Sequence, residues 1–269
     1  MANYLIVGIS SDISISLARR FLDRGARVWG TYRSWSDGID RLQALGAVLS
    51  FVDVDDPGSI AEFVAKMTSS GYFWNRFISA VGVLAPIGPF FDTDFGAWDG
   101  AVRTNSLSQL RILRSIFALR DPHELARAIL FAGGGTNSPF DNYSAYCLGK
   151  IMLIKACELL DSEEKNLSIS ILGTGWVNTK IHQQTLAAGL VAGGNFDKTQ
   201  KFIDSGPTQG TSLQTVADCI DWCFAAPREA VSGRNFSIVD DNWRDPRFID
   251  ELVRAPDKGK LRRNWPRET

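Results

Sequence analysis

The chain has 269 residues, 45% of them apolar and 22% charged, with a net charge of −1 and an isoelectric point near 6.2. Those values describe a globular chain with ample core and exclude the basic footprint of a nucleic-acid binder, the run from Lys258 through Arg267 reading as a solvated end. No apolar run reaches membrane-span length, and the N-terminus enters an apolar strand without a basic lead or a cleavage site, so the cytoplasm is the expected compartment.

Short apolar runs alternate with stretches of helical spacing, the pattern of repeated βαβ units. In chain order the spacing predicts strand Tyr4–Gly8, helix Ile13–Arg24, strand Arg27–Tyr32, helix Ile39–Leu45, strand Val48–Val54 and helix Ser59–Met67. Strand Phe77–Val81, helix Phe95–Leu119, strand Ala128–Ala132, helix Tyr143–Leu160 and strand Leu167–Leu172 follow. Lys180 to Ser212, rich in Gly and Ala, interrupts the pattern and reads as an irregular, mobile substrate lid, since a compact domain tolerates such a loop mainly for function. Helix Leu213–Phe224 and strand Phe236–Val239 complete the repeat. The expected fold is α/β: a single-domain, Rossmann-type, doubly wound parallel sheet of about seven strands with helices on both faces. It spans residues 1–240, with a C-terminal extension over 241–269.

Such a sheet binds its ligand beyond the carboxyl ends of its strands, where Gly8 to Ser14, Arg33, Asp53, Gly82, Gly133 to Ser138 and Gly175 to Thr179 all fall. Gly8-Ile9-Ser10-Ser11-Asp12-Ile13-Ser14 opens a helix whose N–H groups and positive end can face a pyrophosphate. A carboxylate there would repel the phosphate, so Asp12 is expected to turn back onto its own helix's N–H groups. After the second strand, Arg33 and Ser34 stand where a bare ribose would meet Asp or Glu, and an arginine suits a 2′-phosphate, which favours NADP with NAD as the alternative. Asp53 either accepts from an adenine amino group or caps a turn. Tyr146 and Lys150 lie four apart in a predicted helix, which stacks a phenol beside an ammonium. A free tyrosine titrates near ~10, and a neighbouring cation lowers that towards working pH, giving a proton donor or acceptor for a carbonyl/alcohol couple.

Cys147, Cys157, Cys219 and Cys223 show no metal-ligand spacing with His123 or His182, so buried free thiols are expected and no metal.

From Leu5 to Asp240 these residues resemble the short-chain dehydrogenase/reductase family. Gly8 to Ser14 looks like its glycine-rich loop, with Asp12 at the middle glycine and Ser14 at the last; Asp53-Val54 resembles its adenine-contacting pair. Ser79-Ala80-Val81-Gly82 stands for Asn-Asn-Ala-Gly, Asn105 for the helix-four asparagine and Tyr146-x-x-x-Lys150 for Tyr-x-x-x-Lys. Thr174-Gly175-Trp176-Val177-Asn178-Thr179 resembles Pro-Gly-x-Val-x-Thr. The resemblance implies Tyr146 as general acid, Lys150 on the nicotinamide ribose and lowering the phenol's pKa, and Asn105 supporting a proton relay. It also implies Val177 and Thr179 on the carboxamide and backbone at Ala80, Val81 and Gly82 lining a ribose. A homodimer or homotetramer is implied through the helices Phe95–Leu119 and Tyr143–Leu160, where Leu107, Leu110, Leu113 and Phe117 form an apolar stripe.

The family's catalytic serine would fall at Gly133, in Gly133-Gly134-Gly135-Thr136-Asn137-Ser138. Losing one positioned donor costs about 2.7–4 kcal/mol of transition-state stabilisation. Either Thr136 or Ser138 fills the space, or Tyr146 and backbone N–H groups polarise the carbonyl alone, or the chain reduces nothing. The Gly-Gly-Gly-Thr form resembles a subgroup tied to polysaccharide and sugar-nucleotide pathways, which implies a small sugar-derived substrate beside Gly133, Gly134, Thr136, Ser138 and Trp176. The competing readings are a dinucleotide-binding sensor that lost its chemistry, and a sugar-nucleotide epimerase or dehydratase using bound cofactor transiently.

Overall fold

A computed structural model describes residues 1–206 and 208–262, so residue 207 of the expected lid and 263–269 of the tail lie outside the described residues. Seven strands pair in the order β3-β2-β1-β4-β5-β6-β7, all parallel: β1 (Asn3–Val7), β2 (Arg27–Tyr32), β3 (Val48–Phe51), β4 (Arg76–Ser79), β5 (Ala126–Phe131), β6 (Leu167–Gly173) and β7 (Arg234–Ser237). The order reverses between β1 and β4, which opens a crevice at their carboxyl ends.

Successive side chains of a strand face opposite ways, so both sheet faces bury apolar residues. On one face Ile6, Ile78, Ile129 and Phe236 pack against α1 (Asp12–Asp23) and α9 (Leu213–Ala225). On the other, Leu5, Phe77, Leu130 and Ile171 meet α3 (Pro57–Ser70), α5 (Leu107–Ile116) and α6 (Ser144–Glu163). Helix α2 (Asp37–Ala44) follows β2. Leu113 of the apolar stripe is buried in that second cluster, Leu110 and Phe117 pack on it, and only Leu107 is exposed.

Three stretches depart from expectation. The helix foreseen over Phe95–Leu119 breaks at Ser106 (φ −139°, ψ −80°) into α4 (Phe95–Asn105), α5 and a 3-10 turn Phe117–Leu119. Close packing at this point joins α4 to α6, since a β-carbon on Gly149 would lie 2.6 Å from Asn105 Cβ. The stretch expected to be an irregular lid is not irregular: it holds α7 (His182–Ala188), a 3-10 turn Gly189–Ala192 and α8 (Gly194–Asp204). Gly189 and Gly193, at φ +59° and +58°, end α7 and the 3-10 turn respectively, so the helical stretches here are interrupted before a long apolar period can build. After α10 (Arg228–Val231) and β7, the stretch from 241 supplies α11 (Arg247–Arg254), and its Trp243, Phe248 and Leu252 are buried in the first core cluster.

Among the described residues no helix is long and apolar enough to cross a membrane. All four cysteines are free and buried, as expected.

Candidate active site

Beyond β1, Gly8 adopts φ +77°, and the N–H groups of Gly8 and Ile9 both donate to Thr31 O (3.1 and 2.8 Å), tying this loop to β2. Ser11 caps α1, its Oγ accepting the Ser14 N–H at 3.1 Å. Asp12 does not turn back onto α1: its Oδ2 accepts the Lys180 backbone N–H at 2.7 Å, and the Lys180 Nζ donates to Ser10 O at 2.7 Å. With Ser11 already capping the helix, Asp12 is free to hold the backbone at Lys180.

A cleft of ≈ 290 Å³ opens here. Gly8, Ser10, Ser11, Arg33, Ser34, Val54, Ala80, Val81 and Gly82 line it, together with Lys180 and Gln184, which the sequence reading did not single out. The remaining expected cofactor residues stand apart from its walls. Ile13 packs on the core. Asp53 accepts the Asp55 N–H at 3.0 Å, the turn-capping arrangement. Gly175 (φ +66°), buried Val177 and Thr179 form the turn after β6, where Thr179 Oγ1 donates to Val177 O at 3.3 Å. Trp176 stacks on His182 at 5.3 Å and against Phe202 at 4.9 Å. A larger hollow of ≈ 590 Å³ flanks α11 and carries none of the motif residues.

Helix α6 brings the phenol and the amine together. Lys150 Nζ lies 5.7 Å from the Tyr146 ring centre and donates to Val81 O at 3.1 Å, reaching the cleft wall. Asn105 is fully buried and fastens the adjoining turn, its Oδ1 accepting from Val83 N–H (3.1 Å) and its Nδ2 donating to Val83 O (2.8 Å). Its own carbonyl accepts from Gln109 Nε2 at 2.9 Å.

Gly133 explains its own identity. A β-carbon there would fall inside Tyr146 Oη, Cε1 and Cζ, so the phenol occupies the volume that a side chain at 133 would need. Neither Thr136 nor Ser138 fills that volume: Thr136 Oγ1 donates to Gly133 O within its own loop (3.2 Å), and Ser138 is exposed. Gly135, at φ +82°, makes the same accommodation for Cys147, whose Sγ donates to Gly134 O at 3.4 Å.

Tyr143, three residues before Tyr146 and on the same face, was legible by spacing but overlooked. It is fully buried, and its Oη donates to Thr185 Oγ1 of the lid at 2.8 Å. Gln184 Oε1 accepts from the N–H groups of Leu84 (2.8 Å) and Ala85 (3.2 Å). Ile181, Ala188 and Phe196 of the 180–212 stretch then pack against Leu84, Tyr143, Tyr146, Cys147 and Ala192, and the phenol is buried beneath them.

Burial, reinforced by the Cys147 thiol, pushes the Tyr146 phenol above its ordinary value, and burial pulls the Lys150 ammonium down to about 8. The expectation that Lys150 lowers the phenol's pKa is therefore not met in this buried arrangement: desolvation penalises both charged forms. The phenol is held protonated, the state that donates to a developing alkoxide.

The family profile described as Enoyl-(Acyl carrier protein) reductase matches residues 8–191, more than half of the chain. The chain belongs to the short-chain dehydrogenase/reductase family. A short-chain dehydrogenase/reductase from Saccharomyces cerevisiae superposes with a TM-score of 0.77 at 18% identity, over 93% of this chain and 99% of that one. Levodione reductase superposes with 0.75 at 17% identity, over 88% and 95%. BdcA, solved in complex with NADPH, superposes with 0.71 at 19% identity, over 88% and 92%. A search of curated protein sequences found no match. Family membership makes the chain an oxidoreductase with a nicotinamide dinucleotide cofactor and a small-molecule substrate.

Proposed function

We propose that this short-chain dehydrogenase/reductase interconverts a secondary alcohol and a ketone using NADP, with Tyr146 as the proton donor and acceptor. The observation that carries the reading is the shared station of Tyr146 and Lys150 on one face of α6, with Lys150 tied to Val81 O at the edge of the cleft. The cleft fits a dinucleotide: the α1 terminus and Ser10 offer N–H groups for a pyrophosphate, apolar Val52 and Val54 suit an adenine, and exposed Arg33 suits a 2′-phosphate. When bound, the nicotinamide supplies or accepts the hydride. Tyr146 holds the proton for the carbonyl oxygen, Lys150 supports the ribose, and Asn105 keeps the turn at Val83 in register for both. The closed lid over Tyr146 excludes water from the reacting centre. The substrate class implied by the Gly133–Thr136 loop is a sugar or sugar-nucleotide derivative. Self-association as a homodimer or homotetramer is supported by exposed Leu107, Leu148, Met152 and Leu159 on α5 and α6.

Reduction of a carbon–carbon double bond conjugated to a carbonyl is a second reading, favoured by the apolar surroundings of Tyr143 and Tyr146 and by the family description. Product analysis after incubation with an enone separates the two: an allylic alcohol supports the first, a saturated ketone the second.

Titration of the wild-type chain is expected to give tighter binding of NADPH than of NADH, with one NADPH consumed per carbonyl reduced. Arg33→Asp is expected to invert the preference. Tighter binding of NADH by the wild type overturns the NADP assignment. A cofactor retained through many turnovers and not consumed favours the epimerase or dehydratase reading.

A further inference from the structure

Lys180 has no place in the chemistry described above, yet it stands at the mouth of the cofactor cleft and is bonded to both sides of the β1–α1 loop. Its backbone N–H donates to Asp12 Oδ2 and its ammonium to Ser10 O, each at 2.7 Å and each across about 170 residues of chain. Among the described residues lining the cleft, Arg33 and Lys180 are the cations, one at the β2 end and the other beside Ser10.

Building on the NADP reading, we propose that Lys180 is the pyrophosphate-recognition residue of this chain, supplying the positive charge that offsets Asp12. A helix N-terminus presents roughly half a unit of positive charge, and Asp12 sets a full negative charge against it in the first turn of α1. A dinucleotide carrying further negative charge could not settle beside that carboxylate without a second cation. The ammonium is exposed and rests on a neutral carbonyl, an acceptor that a phosphate oxygen outcompetes because it adds the attraction between two full opposite charges to the hydrogen bond. The proposed event is an exchange of acceptors at Nζ, from Ser10 O to phosphate, while the Asp12 bond to the Lys180 N–H keeps the lid root in place. The same residue that begins the lid thereby reads whether the cleft is filled.

The test is a set of dissociation constants on the full-length chain for NADPH and for adenosine 2′-monophosphate, which keeps the adenine and the 2′-phosphate but lacks the pyrophosphate. Lys180→Met is expected to weaken NADPH by about ten- to a hundredfold, the range for loss of one hydrogen bond to a charged group, and to leave the monophosphate unchanged. Lys180→Arg is expected to recover most of the NADPH affinity. Asp12→Asn, which keeps an acceptor for the Lys180 N–H and removes the charge, is expected to tighten NADPH severalfold. Far-ultraviolet circular dichroism and thermal unfolding establish that each variant is folded. Undiminished NADPH affinity in Lys180→Met overturns the proposal, as does equal weakening of both ligands, which marks a merely structural lysine. A wild-type chain that binds the monophosphate and neither dinucleotide overturns the cofactor reading itself, and the two failures are thus distinct.

Discussion

Gly133→Ala and Gly133→Ser are both expected to slow turnover by about a hundredfold rather than restore a lost catalytic group. The added β-carbon would coincide with Tyr146 Oη, Cε1 and Cζ, and the phenol has no room to retreat because Ile181, Ala188 and Phe196 of the lid pack over its cluster. Gly133 does not lie at positive φ, so an alanine there is acceptable to the backbone and the whole effect is steric. Overpacking of this kind costs about 1–3 kcal/mol of stability, and displacement of an acid by about 1 Å costs on the order of a hundredfold in rate. The measurements are kcat at saturating NADPH and the unfolding temperature. Affinity for NADPH should hold, since Gly133 is not part of the cleft wall. A serine variant as fast as the wild type would show that the phenol does not use this volume during catalysis.

The second large effect is expected in α11, far from Gly133 in sequence. Phe248 of α11 is 3% exposed and packs among Trp222 and Phe236, with ring centres 6.0 and 6.4 Å away. Arg234, itself buried, fastens the same segment by donating to Leu252 O (2.7 Å) and Ala255 O (2.9 Å). Phe248→Ala should therefore cost about 3–5 kcal/mol and lower the unfolding temperature by on the order of 10 °C. Calorimetry together with size-exclusion chromatography checks this. A cover for a neighbouring subunit would behave differently: elution would change while the unfolding temperature of the isolated subunit stayed level.

The sheet was readable because parallel strands are buried on both faces and so appear as continuous apolar runs such as Leu5-Ile6-Val7 and Ile169-Ser170-Ile171-Leu172. The cleft was readable for a related reason: residues ending successive strands gather on one edge, which places Gly8, Arg33, Val54 and Gly82 together before any coordinate is known. What escaped was whatever depends on a distant partner. Asp12 looked like a helix cap because its acceptor role is satisfied 168 residues away, at Lys180. Gly133 looked like a missing donor because a sequence reports an absent side chain and not the neighbour that fills its place. The helices of the 180–212 stretch were masked by its Gly and Ala, which read as loop. The raised pKa of Tyr146 follows from its burial, which spacing along α6 could not reveal.

The central claim is that the Tyr146 phenol, bedded on Gly133, delivers the proton when a carbonyl is reduced. The most direct measurement is a single-turnover experiment in which chain preloaded with NADPH is mixed with a ketone, wild type beside Tyr146→Phe, and the loss of reduced nicotinamide is followed. Expected is one equivalent oxidised by the wild type and none on that timescale by Tyr146→Phe, with equal NADPH dissociation constants. The same amplitude and rate in Tyr146→Phe would contradict the account.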